Sequence, residues 1–584
     1  MRRAYLKQMI EYLDDNSVKL TFKAPYKKSV HVVGEFNNWQ VSERYAMQKQ
    51  NDGETFSIVI NYLQPKKEYA YQFLIDKKIA IADLYTEKIL DPQFDNQISS
   101  NTYPNLKKYP ADNPFGGSVS VLQTSPEPYQ WNIKDFTSPA KEDLIIYELL
   151  IRDFVESRKY KDIVNFIPYL KKLGINAIEL LPVQEFTGNN SWGYNPTFYF
   201  AADKAYGTKD DLKYLIDKCH ENGIAVILDV VFNHADKKFS YYKAYKGHKS
   251  ADGEHPFFNE KATHPYSIFF DFNHESKYTQ TFFDDVCHFW LNEYKIDGFR
   301  FDLTKGFTQV KSYPDVLKWS SYDASRVKLL KRMFNKIRQY NKNCYLILEH
   351  LAANDEETEL ADYGFLLWGH LNHQFRNLLK GKNDSISWLS HHNRGWKEAN
   401  LVGYMESHDE ERLVYDANQK FKDLSVSLSR ARAATVIFFA YPGPKLFWQF
   451  GEFGYDISID YNGRTGVKPI KWDYLKDPDR QALLEVYRQM IHLRKNIVAF
   501  KEGAFNEVSE SLIKKININH LTLNIRIIAN FSLKEVELKS NLEVGIWFDF
   551  FRETVWNVSE KNQRITLKAG EYYLFTSNKI EKFQ

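Results

Sequence analysis

The chain has 584 residues, enough for two to four domains, one of them with a large core. Lysine and arginine number 78 against 75 acids. A net charge of +3 offers no basic surface of the kind that nucleic acid or an anionic membrane demands.

Residues 17 to 76 carry four short β-type runs, SVKLTFKAP, SVHVVGEF, TFSIVINYL and EYAYQFLID, parted by turn-rich segments. They predict a β-sandwich over residues 1–110. Pro104, Pro110, Pro114, Gly116, Gly117, Pro126 and Pro128 then mark a linker at 111–140. From 141 to about 500 the texture changes to apolar strands alternating with helical periodicity. The strands are LIIYELLI, NAIELLPV, IAVILDVVF, DGFRFD, CYLILEH, LVGYMES and PKLFWQF, with an eighth expected near 470–475. Helical segments such as KDDLKYLIDKCHENG, capped at Gly223, and SKYTQTFFDDVCHFWLNEY lie between them. Buried strands alternating with helices pair in parallel, and eight repeats over some 350 residues predict a (β/α)₈ barrel rather than an open sheet. Residues 235–275, rich in His, Lys and aromatics, interrupt the barrel after its third strand. After residue 501, HLTLNIRIIANF, GIWFDFF and EYYLFT return to β alternation and predict a C-terminal β-sandwich to residue 584.

No apolar run reaches the length of a membrane span, and the opening MRRAYLKQMIEYLDDN lacks the apolar stretch of a leader. The chain as written is expected in the cytoplasm; a secreted parent without its leader would read the same. Cys219, Cys287 and Cys344 have no metal-ligand spacing and cannot all pair, which fits a reducing compartment or an oxidising one that makes no use of them.

The chemistry lies where barrel strands end. GFRFDLTKG sets Arg300 and Asp302 on one face of a strand that otherwise suits a core. DVVFNH ends in Asp229, Asn233 and His234, LILEH in Glu349 and His350, and GYMESHDEER in His408, Asp409 and Glu410. One such ending is ordinarily a helix cap, but four converge on the C-terminal mouth of a barrel. Two carboxylates about one bond are what glycoside hydrolysis requires, and an adjacent guanidinium is expected to keep a nucleophilic Asp302 ionised by lowering its pKa. His350 and Glu410 acquire no role from their spacing.

In order and placement, DVVFNH, GFRFD, ILE and SHD resemble the four signature regions of glycoside hydrolase family 13, the α-amylase family. WGYNP at 192–196 is similar to the segment that supplies a tyrosine stacked on the sugar. The resemblance implies Asp302 as nucleophile, Glu349 as acid/base and Asp409 as the carboxylate that stabilises the transition state. It further implies that Arg300 sets the charge of Asp302, that His234 and His408 bond sugar hydroxyls, that Tyr194 stacks on the ring, and that Asp229 is structural. VHVVGEFNNWQ resembles carbohydrate-binding module family 48, which makes Trp39 a candidate sugar platform. Asn233 occupies a position that ligates calcium in many relatives. Lys305-Gly306 replaces a Lys-His pair there, so calcium is open and no cofactor is implied as required.

The expected activity is therefore retaining cleavage of α-1,4-glucosidic bonds in starch- or glycogen-type glucans. The alternatives are a branching enzyme or other glucanotransferase, and an inactive glucan-binding scaffold. A glucan is the expected partner; oligomeric state is not legible.

Overall fold

The computed structural model describes residues 9–246, 255–266, 268–508 and 511–583. The opening eight residues of the expected N-terminal module, and residues 247–254 and 267 of the inserted segment, lie outside them. Eight parallel strands form a closed barrel: β1 (Ile145–Leu149), β2 (Ala177–Leu180), β3 (Ala225–Val230), β4 (Gly298–Phe301), β5 (Tyr345–Leu348), β6 (Leu366–His370), β7 (Leu401–Tyr404) and β8 (Lys445–Trp448). β8 pairs back onto β1, Ile146 opposite Leu446.

Alternation along each strand decides what faces where. Ile146, Ala177, Ile227, Ile347, Val402 and Leu446 fill the barrel interior in one apolar cluster. Their neighbours Tyr147, Ile178, Leu228, Phe299, Leu346 and Phe447 point outward into the core shared with the helices. Continued toward the C-terminal ends, the inward parity carries Glu148, Glu179, Asp229 and Arg300, opposed in register as Glu148 to Glu179 and Asp229 to Arg300. A charged layer therefore sits directly on an apolar one.

The eighth strand is not at 470–475. Trp472–Lys476 forms a short helical turn whose indole stacks on Phe166, and the missing strand is β6, the run LLWGH. β6 leads at once into a helix at Asn372–Leu379, so it lacks a turn signal on its C-terminal side. The helix Lys209–Glu221 starts on a Thr208–Asp211 capping box, and Gly223 follows it with φ 75°.

The N-terminal module is two facing sheets. Ile10–Asp14, Ser17–Lys23, Thr55–Ile60 and Gln48–Lys49 form one; Val30–Gly34, Glu68–Ile75, Val119–Gln123 and Ile89–Leu90 form the other. Val119–Gln123 lies within the stretch read as linker, so the module closes later than the proline spacing suggested. The module grips the barrel insertion, whose ends are joined by pairing of His234 with Asp271. Lys27 Nζ donates to the carbonyl of Ala244 (2.7 Å), and the hydroxyls of Tyr241 and Tyr245 donate to the carbonyls of Lys23 (3.1 Å) and Pro25 (2.9 Å). The C-terminal strands, Ala504 to Thr576, form a six-stranded sheet and a two-stranded one. Arg430 ties them to the barrel by donating to the carbonyls of Leu378 and Ser532. Among the described residues no helix is long and apolar enough to cross a membrane.

Trp39 is not a surface platform. It is 3% exposed and packs with Val33, Ala70, Leu74, Ala80, Leu90, Val119 and Val121. The chain turns it inward because residues 38 and 39 both adopt left-handed backbone, φ 51° and 58°. Trp39→Ala is expected to cost about 3–5 kcal/mol of stability through the cavity it leaves. A thermal unfolding scan of the variant superimposing on that of the parent would contradict this placement.

Candidate active site

The centre of the barrel mouth is Arg300. Its side chain is fully buried on β4, with Nη1 donating to Asp229 Oδ1 (3.0 Å), Asp229 Oδ2 (2.9 Å) and Asp302 Oδ1 (3.1 Å). Nη2 lies 3.0 Å from Glu349 Oε2 in ion-pair contact without hydrogen-bond alignment. The guanidinium sits 4.0 Å from the ring centre of Trp368 on β6. Glu349 is also fixed through the backbone of the β4 exit: Leu303 N–H donates to its Oε2 (2.9 Å) and Thr304 N–H to its carbonyl (2.9 Å). Leu303, at φ 46°, is turned to make that contact.

Asp302 and Glu349 are each about 15% exposed, and Asp409, on the loop after β7, is 39% exposed. Burial pushes the Asp302 carboxyl well above the usual range, the Glu349 charge adds to this, and Arg300 opposes without prevailing. The expected lowering by Arg300 is thus present but outweighed. Neighbouring carboxylates disfavour each other's charge, and here that adds to the burial of Asp302. Burial also opposes the charge of Asp409, but His408 and Arg300 override it and lower its pKa.

The remaining sequence candidates divide. Tyr194, at the tip of the excursion after β2, donates its hydroxyl to Asp229 (2.6 Å) and stacks on His408 at 5.1 Å. His408 faces Asp409 at 3.5 Å through Nε2 and Glu148 at 2.5 Å through Nδ1. His234, expected to bond a sugar hydroxyl, has its ring engaged within the protein in this structure. It is 1% exposed, with Nε2 donating to the Tyr194 carbonyl (2.9 Å) and Nδ1 at 3.3 Å from the Asn233 amide, and burial lowers its pKa to about 4. It supports the Tyr194 segment as a neutral imidazole.

The described residues around Asn233 do not by themselves fit a calcium ion. Asn233 Oδ1 is buried and unpartnered, but beside the space that Gly306 leaves open it is accompanied by His264 Nε2, itself 3.2 Å from Asp271 Oδ1. Calcium takes six to eight oxygen ligands, and an imidazole nitrogen is a poor substitute.

Sequence reasoning passed over Glu148, Glu179 and Trp368. Their signal was a polar or bulky residue inside an apolar strand, YEL, IEL and LLWG, at inward parity. Glu410, raised to about 7 chiefly by burial and then by Asp409, accepts from Ser407 Oγ (2.5 Å) and the Tyr404 hydroxyl (3.3 Å) at the cleft edge. His350, without a role in the sequence, is structural. Its ring bonds Thr304 Oγ1 (2.9 Å) and Glu356 (2.7 Å), and Glu356 pairs with Arg326.

A closed parallel barrel with an acid cluster on one guanidinium at its C-terminal mouth defines a (β/α)₈-barrel enzyme. Residues 158–267 and 266–486, more than half of the chain, match the family described as "Alpha amylase, catalytic domain". The protein belongs to the α-amylase family. It is 28% identical over 495 residues to a 1,4-α-glucan branching enzyme of Halothermothrix orenii, covering 78% of this chain and 72% of that one. It is also 28% identical over 293 residues to a malto-oligosyltrehalose trehalohydrolase of Saccharolobus solfataricus, covering 50% and 44%. Its fold is shared with a type I pullulanase of Bacillus subtilis str. 168 complexed with maltose (TM-score 0.75, 19% identity, 97% of this chain and 85% of that one). It is shared as well with a pullulanase of Anoxybacillus sp. LM18-11 complexed with maltotetraose (TM-score 0.73, 19% identity, 98% and 87%).

Glu356 supplies a stability prediction. Burial opposes its charge, yet the bonds from His350 and Arg326 lower its pKa from 4.5 to about 2. A folded-state pKa below the unfolded one means the stabilisation is present above about pH 4.5 and is lost as pH falls toward 2. Glu356→Gln leaves Arg326 and His350 buried without their anion and is expected to cost about 3–5 kcal/mol at pH 7. Urea unfolding at pH 7 and at pH 3 should show the variant's deficit shrinking in acid.

Proposed function

We propose that this enzyme cleaves α-1,4-glucosidic bonds of starch- or glycogen-type α-glucans with retention, through a covalent glycosyl intermediate on Asp302. The single observation that carries the reading is Arg300 bridging Asp302 and Glu349 while resting on Asp229. Carboxyl groups held as near neighbours on one guanidinium suit the roughly 5 Å spacing of retaining enzymes, which leaves no gap for a second-face water. The retaining mechanism assigns the roles. Asp302 attacks as a carboxylate when Glu349 carries the proton, Glu349 gives that proton to the leaving oxygen, and it then takes one from the acceptor. Asp409, ionised beside His408, lies opposite as positive charge develops on the sugar. Tyr194, over His408, offers an aromatic face to the ring.

The leading reading makes water the acceptor, since Asp409 leaves the site open to solvent. The second makes a glucan hydroxyl the acceptor, as in a branching enzyme. The relatives of that name, such as the Halothermothrix orenii enzyme matched over 78% of this chain, favour it. Amylose incubated with the enzyme separates the two. Hydrolysis raises reducing ends in step with loss of iodine colour; branching shifts the colour with almost no new ends while α-1,6 signals grow in the proton NMR spectrum.

Asp302→Asn should bring turnover to background, and Glu349→Gln should lower it roughly 10²–10⁴-fold on substrates with poor leaving groups. Both variants should keep the parent's circular dichroism. Rate against pH should be bell-shaped, because the mechanism needs an ionised nucleophile and a protonated acid at the same time. Wild-type activity in either variant would remove the assignment.

A further inference from the structure

Glu148 lies outside every role described so far, yet it is fully buried on β1 beneath the cleft. Both of its oxygens go to one residue. Oε1 meets His408 Nδ1 at 2.5 Å, and Oε2 accepts from the His408 backbone N–H at 3.1 Å. That grip fixes the imidazole and the chain carrying it at once. The ring is further enclosed by Tyr194 (5.1 Å), Trp192 (5.4 Å), Trp368 (6.1 Å) and Trp448 (6.2 Å), so a ring flip would have to displace aromatic walls.

We propose that Glu148 is a positioning residue that holds His408 doubly protonated, with Nε2–H as a fixed donor toward the cleft and Asp409. This deepens the proposed function, on which its kinetic consequence rests. The groups that face His408 are Glu148 from β1, Glu179 from β2, Asp229 from β3 and Arg300 from β4, with Asp409 and Glu410 on its own loop. Glu179, opposite Glu148 in register, is fully buried with both carboxyl oxygens unpartnered, and burial followed by the charge of Glu148 pushes its pKa well up. Of the three acids in that layer, Glu148 and Asp229 contact the cations, Glu148 at His408 and Asp229 at Arg300, whereas Glu179 contacts neither. Burial disfavours a charged His408, but Asp409 and Glu148 reverse this and raise it to about 10.

The amide of Glu148→Gln can serve both groups only with its oxygen on the His408 backbone N–H and its NH2 on Nδ1, so the ring would keep its place. It would lose its second proton, from Nδ1, near neutrality, leaving a neutral ring with Nε2–H toward Asp409. Glu148→Asp keeps the charge. The test uses full-length protein labelled with ¹⁵N-histidine, the His408 resonances being those lost in His408→Gln. In the parent and in Glu148→Asp, His408 should show two protonated nitrogens up to pH 8 or above. In Glu148→Gln it should titrate at least two pH units lower. In parallel, the alkaline limb of kcat/KM on amylose should move to lower pH by at least one unit in Glu148→Gln only, with at least a tenfold loss at pH 8. A neutral His408 in the parent at pH 7, or a titration unchanged by Glu148→Gln, overturns the proposal. If amylose is not a substrate, the kinetic arm is silent and the reading of function fails, while the NMR arm still decides the role of Glu148.

Discussion

The structure turns on a guanidinium with no access to water. Removing an ion of this size from solvent carries a penalty of several kcal/mol, which must be met by charges and hydrogen bonds in the same place. Arg300 meets it with Asp229 held by two contacts, Asp302 by one, Glu349 in ion-pair contact and the face of Trp368 below. Each partner comes from a different strand, β3, β4, β5 and β6, so the cation can be buried only when the barrel is closed and correctly registered. The requirement that stabilises Arg300 therefore also collects the acids into one site. Asp229 serves this purpose more than any chemical one: it is fully buried, holds Arg300 and receives the Tyr194 hydroxyl.

A second consequence is an excess of acids over cations. Glu148, Glu179, Asp229, Asp302, Glu349 and Asp409 surround Arg300 and His408, and so many buried carboxyl groups cannot all be ionised. The environments part them. Asp302 and Glu179 are pushed toward the protonated form by burial and like charge, whereas Asp409, more open and beside both cations, is pulled toward the ionised one. Divergent proton affinities among neighbouring acids are what acid/base work at a single pH requires. The expectation that one arginine would simply lower one aspartate failed because it counted the partner and left out the desolvation.

What was legible in the sequence was whatever periodicity controls. Apolar runs set between helical segments identified seven of the eight strands, and the alternation of strand faces placed Arg300 and Asp302 on one face. β6 escaped because LLWGH runs into its helix without turn residues, and a stretch with Trp472 and Tyr474 imitated a strand. Trp39 was misjudged because its position depends on two consecutive left-handed residues, which composition does not announce. The surroundings of His234 were not legible for a different reason. Its ring nitrogens are claimed by the Tyr194 carbonyl and the Asn233 amide, and those partners meet only in three dimensions.

The N-terminal module acquires a mechanical meaning from the same geometry. The insertion after β3 begins at the end of the strand that carries Asp229, and its edge strand starts with His234. Among its described residues the segment has a two-residue ladder, a Phe258–Phe272 bridge and one short helix, so most of its order comes from packing. The module supplies part of it: Lys27, Lys23 and Pro25 bond the helix Ser240–Tyr245 from outside, and Phe22 packs on Tyr241. His234 in turn holds Tyr194 over His408. A path of direct contacts thus runs from the module through the insertion to the aromatic wall of the cleft. A core residue such as Trp39 can therefore matter to the site without approaching a sugar, by keeping rigid the surface against which the insertion is braced.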